Sequence, residues 1–214
     1  MRVRNIMTSP VITAASDMPV LEAAKLMKEK RIERLPVVEG GKLQGIVTKD
    51  RVLRASPSMA TSLSLHEIHY LFAKLTVKEI MQRDVITVTP DTTVENAVRL
   101  AQEKRVGALP VVEDGHIVGI LTTNDFFYLV LNPLLGIGER GTRVIVRHCA
   151  TPVQMVSALQ CVADLGMEIL NAAYLPSRRG DEKDLLLHVA EEDVAARLVA
   201  KMTAKGLDAE ERQR

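Results

Sequence analysis

The feature that most constrains this chain is an ungapped internal repeat. Residues 3–51 align with residues 77–125 at a constant offset of 74, and 22 of the 49 aligned positions are identical. Ile6-Met7 returns as Ile80-Met81, and Val11-Ile12-Thr13 as Val85-Ile86-Thr87. Glu29-Lys30-Arg31 returns as Glu103-Lys104-Arg105, and Leu35-Pro36-Val37-Val38-Glu39 as Leu109-Pro110-Val111-Val112-Glu113. Gly45-Ile46 with Thr48 returns as Gly119-Ile120 with Thr122. Two copies are too few for a solenoid, so they predict a pair related by a pseudo-twofold axis.

Each copy carries the same succession of periods. Val11-Ile12-Thr13 reads as a short strand, and Ser16 or Asp17 offers a helix N-cap. Val20, Ala23, Ala24 and Met27 then recur at helical spacing. Leu35–Val38 and Leu43–Thr48 read as strands joined by a turn at Gly40-Gly41, and a short helix closes the unit. The second copy repeats this with Val85–Val88, Val94 to Glu103, Leu109–Val112, a turn at Asp114-Gly115, and Ile117–Thr122. The order is βαββα. Between the copies, Ala55-Ser56-Pro57-Ser58 begins a loop, and Leu63 to Leu75 has the pattern of an amphipathic helix.

In this order, Ile-Met, Val-Ile-Thr, Leu-Pro-Val-Val and Gly-Ile-x-Thr are similar to the motifs of the cystathionine-β-synthase (CBS) family, and the pair resembles a compact CBS pair over about residues 1–131. The insertion at 55–58 with its helix, plus an extra C-terminal region, resembles the acetoin-utilisation (AcuB) type. The resemblance implies a regulatory module with adenine-nucleotide clefts (AMP, ADP, ATP or a related adenosyl ligand) and a homodimer.

The C-terminal third starts a new pattern. Asn132-Pro133 reads as a helix break, and Gly136, Gly138 and Gly141 mark a linker. Val144–Val146 is a predicted strand, and Pro152 opens a helix with Met155, Val156, Leu159, Val162 and Ala163 on one face. Ile169–Leu175 and Leu185–Val189 read as strands, and Glu192 to Lys205 as a helix. This βαββα order resembles a ferredoxin-like ACT domain. It departs from amino-acid-binding members in having Pro152-Val153 where they carry Pro-Gly, and the polar Asp208 to Arg214 leaves a final strand short or missing. The expected fold class is therefore α+β. CBS motif 1 spans residues 1–60, a linker helix 61–76, CBS motif 2 residues 77–131, a linker 132–141, and an ACT-like domain 142–214.

The resemblance implies two clefts. One is expected around Ile86, Thr87, Val106, Gly107, Ala108, Leu109, Pro110, Thr122, Asn124 and Asp125. In it Asp125 accepts from the ribose hydroxyls, Thr122 meets phosphate, and the backbone of Val106–Pro110 faces adenine. The bland alternative is that Asp125 only caps a helix. The other, weaker cleft is expected around Ile12, Thr13, Ile32, Arg34, Pro36, Thr48, Lys49 and Arg51. There Arg51 stands where the other copy has Asp125. A guanidinium cannot accept from a hydroxyl, so this cleft loses its ribose clamp. Asp50 stands one residue too early, about 100° away around a helix.

Other functions find little support. Six aromatic residues, no Trp and a net charge of +1 argue against a nucleic-acid surface. No apolar run reaches the roughly 20 residues of a membrane helix, and no signal-peptide pattern opens the chain. Cys149 and Cys161 read as buried thiols in a reducing cytoplasm. His66-Glu67-Ile68-His69 falls one residue short of a zinc-protease motif, and no P-loop or nucleophile setting occurs, so neither a metal site nor an enzyme is expected. An interaction module without nucleotide is the remaining alternative.

Overall fold

The computed structural model describes residues 1–55, 74–177 and 183–212. The predicted helix at 63–75, apart from its last two residues, and the histidines at 66 and 69 lie outside them. The chain divides into two compact units, Met1–Phe126 and Phe127–Arg214.

The first unit runs β1 (Ala14–Ala15), α1 (Val20–Lys30), β2 (Arg34–Glu39), β3 (Lys42–Thr48), α2 (Lys49–Ala55), α3 (Val77–Ile80), α4 (Val94–Lys104), β4 (Ala108–Glu113), β5 (His116–Thr122) and α5 (Thr123–Phe126). Its five-stranded sheet has the order β1-β2-β3-β5-β4. Both hairpins turn on two residues with positive φ, Gly40-Gly41 and Asp114-Gly115, the geometry whose twist suits two-residue hairpins. The hairpins meet at one residue pair, Lys42 with His116. These two are each other's images under the 74-residue offset, so the pseudo-twofold axis passes between them.

The two copies are interleaved. The Val3 N–H donates to the Thr92 carbonyl and the Val77 N–H to the Met18 carbonyl, both at 2.9 Å. The Arg4 N–H donates to Pro90 and Lys78 to Ser16; Val94 donates to Met1 and Val20 to Leu75. Thr8 bridges Ile120 as Gln82 bridges Ile46. Each bond has its image in the other copy, and each joins a lead-in segment of one copy to the body of the other. Val3 and Val77, the anchors of these segments, are fully buried. One core cluster gathers Val20, Ala23, Met27, Leu35, Val37 and Val47 from the first copy with Val77 and Met81 from the second.

Two local expectations shift. The opening strand lies at Ala14–Ala15 rather than at Val11–Thr13, and its counterpart is a single parallel bridge between Val88 and Val111. Ala14 and Val88 are the inward-facing images, whereas Val11 and Ile12 line a cavity. Helix α1 begins after Pro19 with no side-chain cap, and the Ser16 hydroxyl bonds Glu39 instead. Its image α4 is capped by Thr93, which accepts from the Asn96 N–H.

The second unit opens with a π-helix over Phe127–Leu131 and α6 (Asn132–Leu135), followed by β6 (Thr142–Val146), α7 (Pro152–Asp164), β7 (Ile169–Pro176), β8 (Lys183–Val189), α8 (Ala195–Ala204) and β9 (Ala209–Glu211). Asn132-Pro133 does not break the helical run. Proline stands in the first turn of α6, where its missing N–H costs nothing, and Gly136 ends the helix with φ 60°. The sheet order is β7-β8-β6-β9, with each neighbouring pair antiparallel. The last strand is present but only three residues long. Helices α7 and α8 cover one face, closing a core of Val144, Val146, Leu185, Leu187, Leu198 and Met202.

Candidate functional site

A cavity of about 650 Å³ opens in the first unit, and its wall is drawn from both copies. Thr122, Thr123, Asn124 and Asp125 come from the end of β5 and the start of α5, while Val11, Ile12, Ile32, Arg34 and Pro36 come from the first copy. The grouping expected from sequence is therefore crossed. Ile12, Ile32, Arg34 and Pro36 share a cavity with Thr122, Asn124 and Asp125, and Ile32 also lines a second recess with Lys49. Ile86, Thr87 and Val106 to Pro110 do not line it. The cause is the interleaving: Thr8 is laid antiparallel against Ile120, which carries residues 10–12 across to the second copy. Thr13 does not line the cavity either. Thr87 belongs to a separate recess of about 470 Å³ beside α4.

Asp125 is tightly held. Its Oδ2 accepts from the Thr122 N–H at 2.7 Å and from the Thr122 hydroxyl at 2.6 Å. Its own N–H donates to the Thr122 hydroxyl oxygen at 3.3 Å. This is a capping box at the start of α5. Oδ1 accepts from the Thr8 hydroxyl at 3.0 Å, a contact that crosses between copies. Each carboxylate oxygen has two lone-pair sites, so Oδ1 keeps one for a further donor. Asp125 thus does cap a helix, and it does so on the cavity wall.

The image position is occupied differently. The Arg51 N–H donates to the Thr48 hydroxyl oxygen at 3.3 Å, repeating the backbone half of the motif. The Arg51 guanidinium turns to the lead-in segment of the second copy, donating to the Ile80 carbonyl at 3.2 Å and to Oε1 of Gln82 at 3.4 Å. Lys49 lies 3.8 Å from Glu33. Copy 2 presents a carboxylate where copy 1 presents a cation already tied to backbone.

Elsewhere, Cys149 and Cys161 are buried free thiols. Burial pushes the Cys149 thiol above its ordinary pKa, against a smaller lowering by its hydrogen bond to Tyr174. Among the described residues, no cluster of three or more His, Cys, Asp or Glu side chains could hold a metal ion. No described helix is long and apolar enough to cross a membrane.

Comparison with known proteins agrees with the repeat. The CBS domain model matches twice, at residues 3–58 and 77–132. The chain belongs to the CBS domain family. It is 35% identical over 141 residues to an inosine-5′-monophosphate dehydrogenase of Korarchaeum cryptofilum, covering 65% of this chain and 26% of that one. This chain therefore spans about a quarter of that relative's length. The CBS domain pair of protein MJ0100, solved with 5′-methylthioadenosine and S-adenosyl-L-methionine, is similar at 33% identity and TM-score 0.50, over 60% of this chain and 94% of that one. A Vibrio cholerae protein assigned to acetoin utilization (AcuB) is similar at 28% identity and TM-score 0.53, over 62% of this chain and 91% of that one. CBSX2, solved with AMP, is similar at 28% identity and TM-score 0.50, over 61% of this chain and 96% of that one.

Proposed function

We propose that this chain is a non-catalytic regulatory protein that binds an adenine nucleotide, or a related adenosyl ligand, in the cleft carrying Thr122 and Asp125. The observation that carries this reading is the cavity itself. It is large enough for such a ligand, it has apolar walls at Ile12, Ile32 and Pro36, and it presents one fixed carboxylate beside hydroxyl groups. The adenine sits between the apolar residues of the first copy, the ribose hydroxyls donate to Asp125, and phosphate oxygens meet Asn124, since the Thr122 and Thr123 donors are held by Asp125 and the Gly107 carbonyl. The adenosyl ligands of the MJ0100 pair and the AMP of CBSX2 support the ligand class. The image cleft, with Arg51 turned onto Ile80 and Gln82, is the weaker site or no site.

The strand order of the second unit supports a ferredoxin-like, ACT-like domain, which in split βαβ folds reads 2-3-1-4 as β7-β8-β6-β9 does here. Likeness to the Vibrio cholerae protein supports the acetoin-utilisation subgroup. A homodimer is part of the reading, supported by exposed Leu21 and Leu53 on the helical face of the first copy; sedimentation at micromolar concentration giving a 23.6 kDa particle would remove it. A cytoplasmic setting is supported by the two unpaired thiols.

A thermal-shift panel of AMP, ADP, ATP and 5′-methylthioadenosine tests the main claim. A ligand held at about 100 times its dissociation constant adds about 2.7 kcal/mol of stability. If no adenosyl compound raises the melting temperature, the chain is an assembly module instead.

A further inference from the structure

The glycine-marked segment 132–141, which reads as a linker in the sequence, is held against the second sheet by three side chains. Arg143 on β6 and Asn171 on β7 are both paired in register with His188 on β8. Val144, Leu187 and Val189 belong to the core under the helices. Strand alternation therefore sets Arg143, His188 and Asn171 in a row on the opposite face. Each holds one carbonyl of the segment. Nη2 of Arg143 donates to Gly136, Nε2 of His188 to Arg140 at 2.8 Å, and Nδ2 of Asn171 to Pro133 at 3.2 Å. A carbonyl can only accept, so Nε2 is the protonated nitrogen of His188. The approach is close enough to require glycine twice. A Cβ at Gly136 (φ 60°) would run into Nδ1 of His188, and one at Gly141 (φ 111°) into the Val189 carbonyl.

The fit is incomplete. Nε of Arg143, Nδ1 of His188 and Oδ1 of Asn171 are buried with no hydrogen-bond partner among the described residues. Each side chain of the row is satisfied at one atom and stranded at another. A stranded polar atom has lost its hydration with no bond in return, which disfavours the closed arrangement. The segment brings little apolar burial to offset this. Leu134 and Ile137 are 53% and 51% exposed, and of residues 132–141 only Gly136 is buried. Opening gives up three hydrogen bonds, and it returns three stranded atoms to water.

We propose that residues 132–141 form a latch on the open face of the second sheet. The latch opens and closes as a unit while the sheet stays folded, and its open form presents Arg143, His188 and Asn171 to solvent. It lies wholly within the second unit, so it holds whatever the first unit binds.

Trypsin reads the latch directly, because the Arg140 carbonyl held by His188 belongs to the peptide bond that the protease must cut. Arg143, three residues on, lies within β6, and a cut there requires the sheet to open. The full chain is digested briefly and the initial rates are read by mass spectrometry of the fragments. In the parent the cut after Arg140 is at least about a hundredfold faster than the cut after Arg143. The Ile137 amide, which donates to the Asn132 carbonyl at 2.8 Å, exchanges its hydrogen about tenfold or more slowly than in an unfolded peptide. Gly136→Ala sets a methyl group against Nδ1 of His188. It raises the rate after Arg140 at least about fivefold and leaves the rate after Arg143 and the exchange of the β6 and β8 amides unchanged. Equal rates after Arg140 and Arg143 in the parent would mean that the segment opens only with the sheet. Exchange of Ile137 at the unfolded rate would mean that it is never closed. A Gly136→Ala rate equal to that of the parent would mean that the seat on His188 does not hold it. Any one of these three results overturns the proposal.

Discussion

The Thr8 hydroxyl donates to Oδ1 of Asp125 at 3.0 Å, joining residues 117 apart in the chain. Thr8 belongs to the lead-in of the first copy and Asp125 to the last helix of the second. The contact sits where the cleft is closed by both copies, so the carboxylate is fixed before any ligand arrives. A group already held by Thr8 and Thr122 loses little side-chain entropy on binding, which is the benefit of preorganisation.

Asp125 has two roles, and two substitutions separate them. Asp125→Ala removes the cap and the ribose acceptor together, so AMP affinity falls by about tenfold or more and stability falls by about 1 kcal/mol. Asp125→Asn keeps an amide oxygen for the Thr122 N–H and recovers most of the stability, but it loses the charge and one acceptor. AMP binding by the Asn variant stays weak. Calorimetry beside chemical denaturation reads both quantities. If the Asn variant binds like the parent, the carboxylate charge is not what holds the ligand.

The pseudo-symmetry gives a stability prediction with an internal control. Gly45 and Gly119 are images. The three atoms nearest a Cβ on Gly119 all belong to the flexible side chain of Met7, whose Sδ lies 2.4 Å away. A Cβ on Gly45 would meet Met81 and also the Gln82 carbonyl oxygen at 2.7 Å, which is backbone. That carbonyl accepts the Ile46 N–H. Gly45→Ala therefore costs more than Gly119→Ala, by about 1–2 kcal/mol, because a backbone bridge must move in one case and a methionine rotamer in the other. Urea melts of the two variants check the order.

The second unit carries an acid-labile element. The Asp164 carboxylate accepts from Gln160 at 2.8 Å and faces Lys201 at 3.0 Å and Lys205 at 3.7 Å. The hydrogen bond from Gln160 first, and then Lys201, hold its pKa below the ordinary 3.8. A carboxyl whose folded pKa is depressed contributes stability above its unfolded value and loses it as the pH falls through the folded one. Asp164→Asn should therefore flatten the acid limb. From about pH 5 downward the parent loses stability faster than the variant. Parallel acid limbs in guanidinium melts would show that the α7–α8 contact carries no proton linkage.

Much of the architecture was legible because the repeat doubles every signal. The hairpin turns, the buried Leu35 and Leu109, and the β-helix-β-hairpin order could be read twice. What the offset could not show was which copy each lead-in packs against, since the same 74-residue relation holds whether a segment folds back on its own body or crosses to the other. It crosses, and for that reason Ile12, Arg34 and Pro36, expected beside Arg51, line the cavity of Asp125. The signal that could have exposed this was Gly45 and Gly119. Image glycines inside strands mark a close approach, and the side chains that approach, Met81 and Met7, come from the opposite copies. The strand at Val11–Thr13 was misplaced for a related reason. Apolar residues that line a cavity carry the same pattern as residues that line a sheet.

The last prediction follows from Arg51. The Thr48 hydroxyl oxygen already accepts from the residue-51 N–H, as that of Thr122 accepts from the Asp125 N–H. Only the carboxylate is missing. Arg51→Asp supplies it and removes the guanidinium from the carbonyl of half-buried Ile80. The variant should form a second capping box at the start of α2 and a second ribose acceptor. With 5′-methylthioadenosine, which needs no cation, the stoichiometry rises from one per chain to two. Arg51→Ala, which removes the cation without adding an acceptor, leaves the stoichiometry at one. A single methylthioadenosine site in Arg51→Asp would mean that the carboxylate is not what distinguishes the clefts.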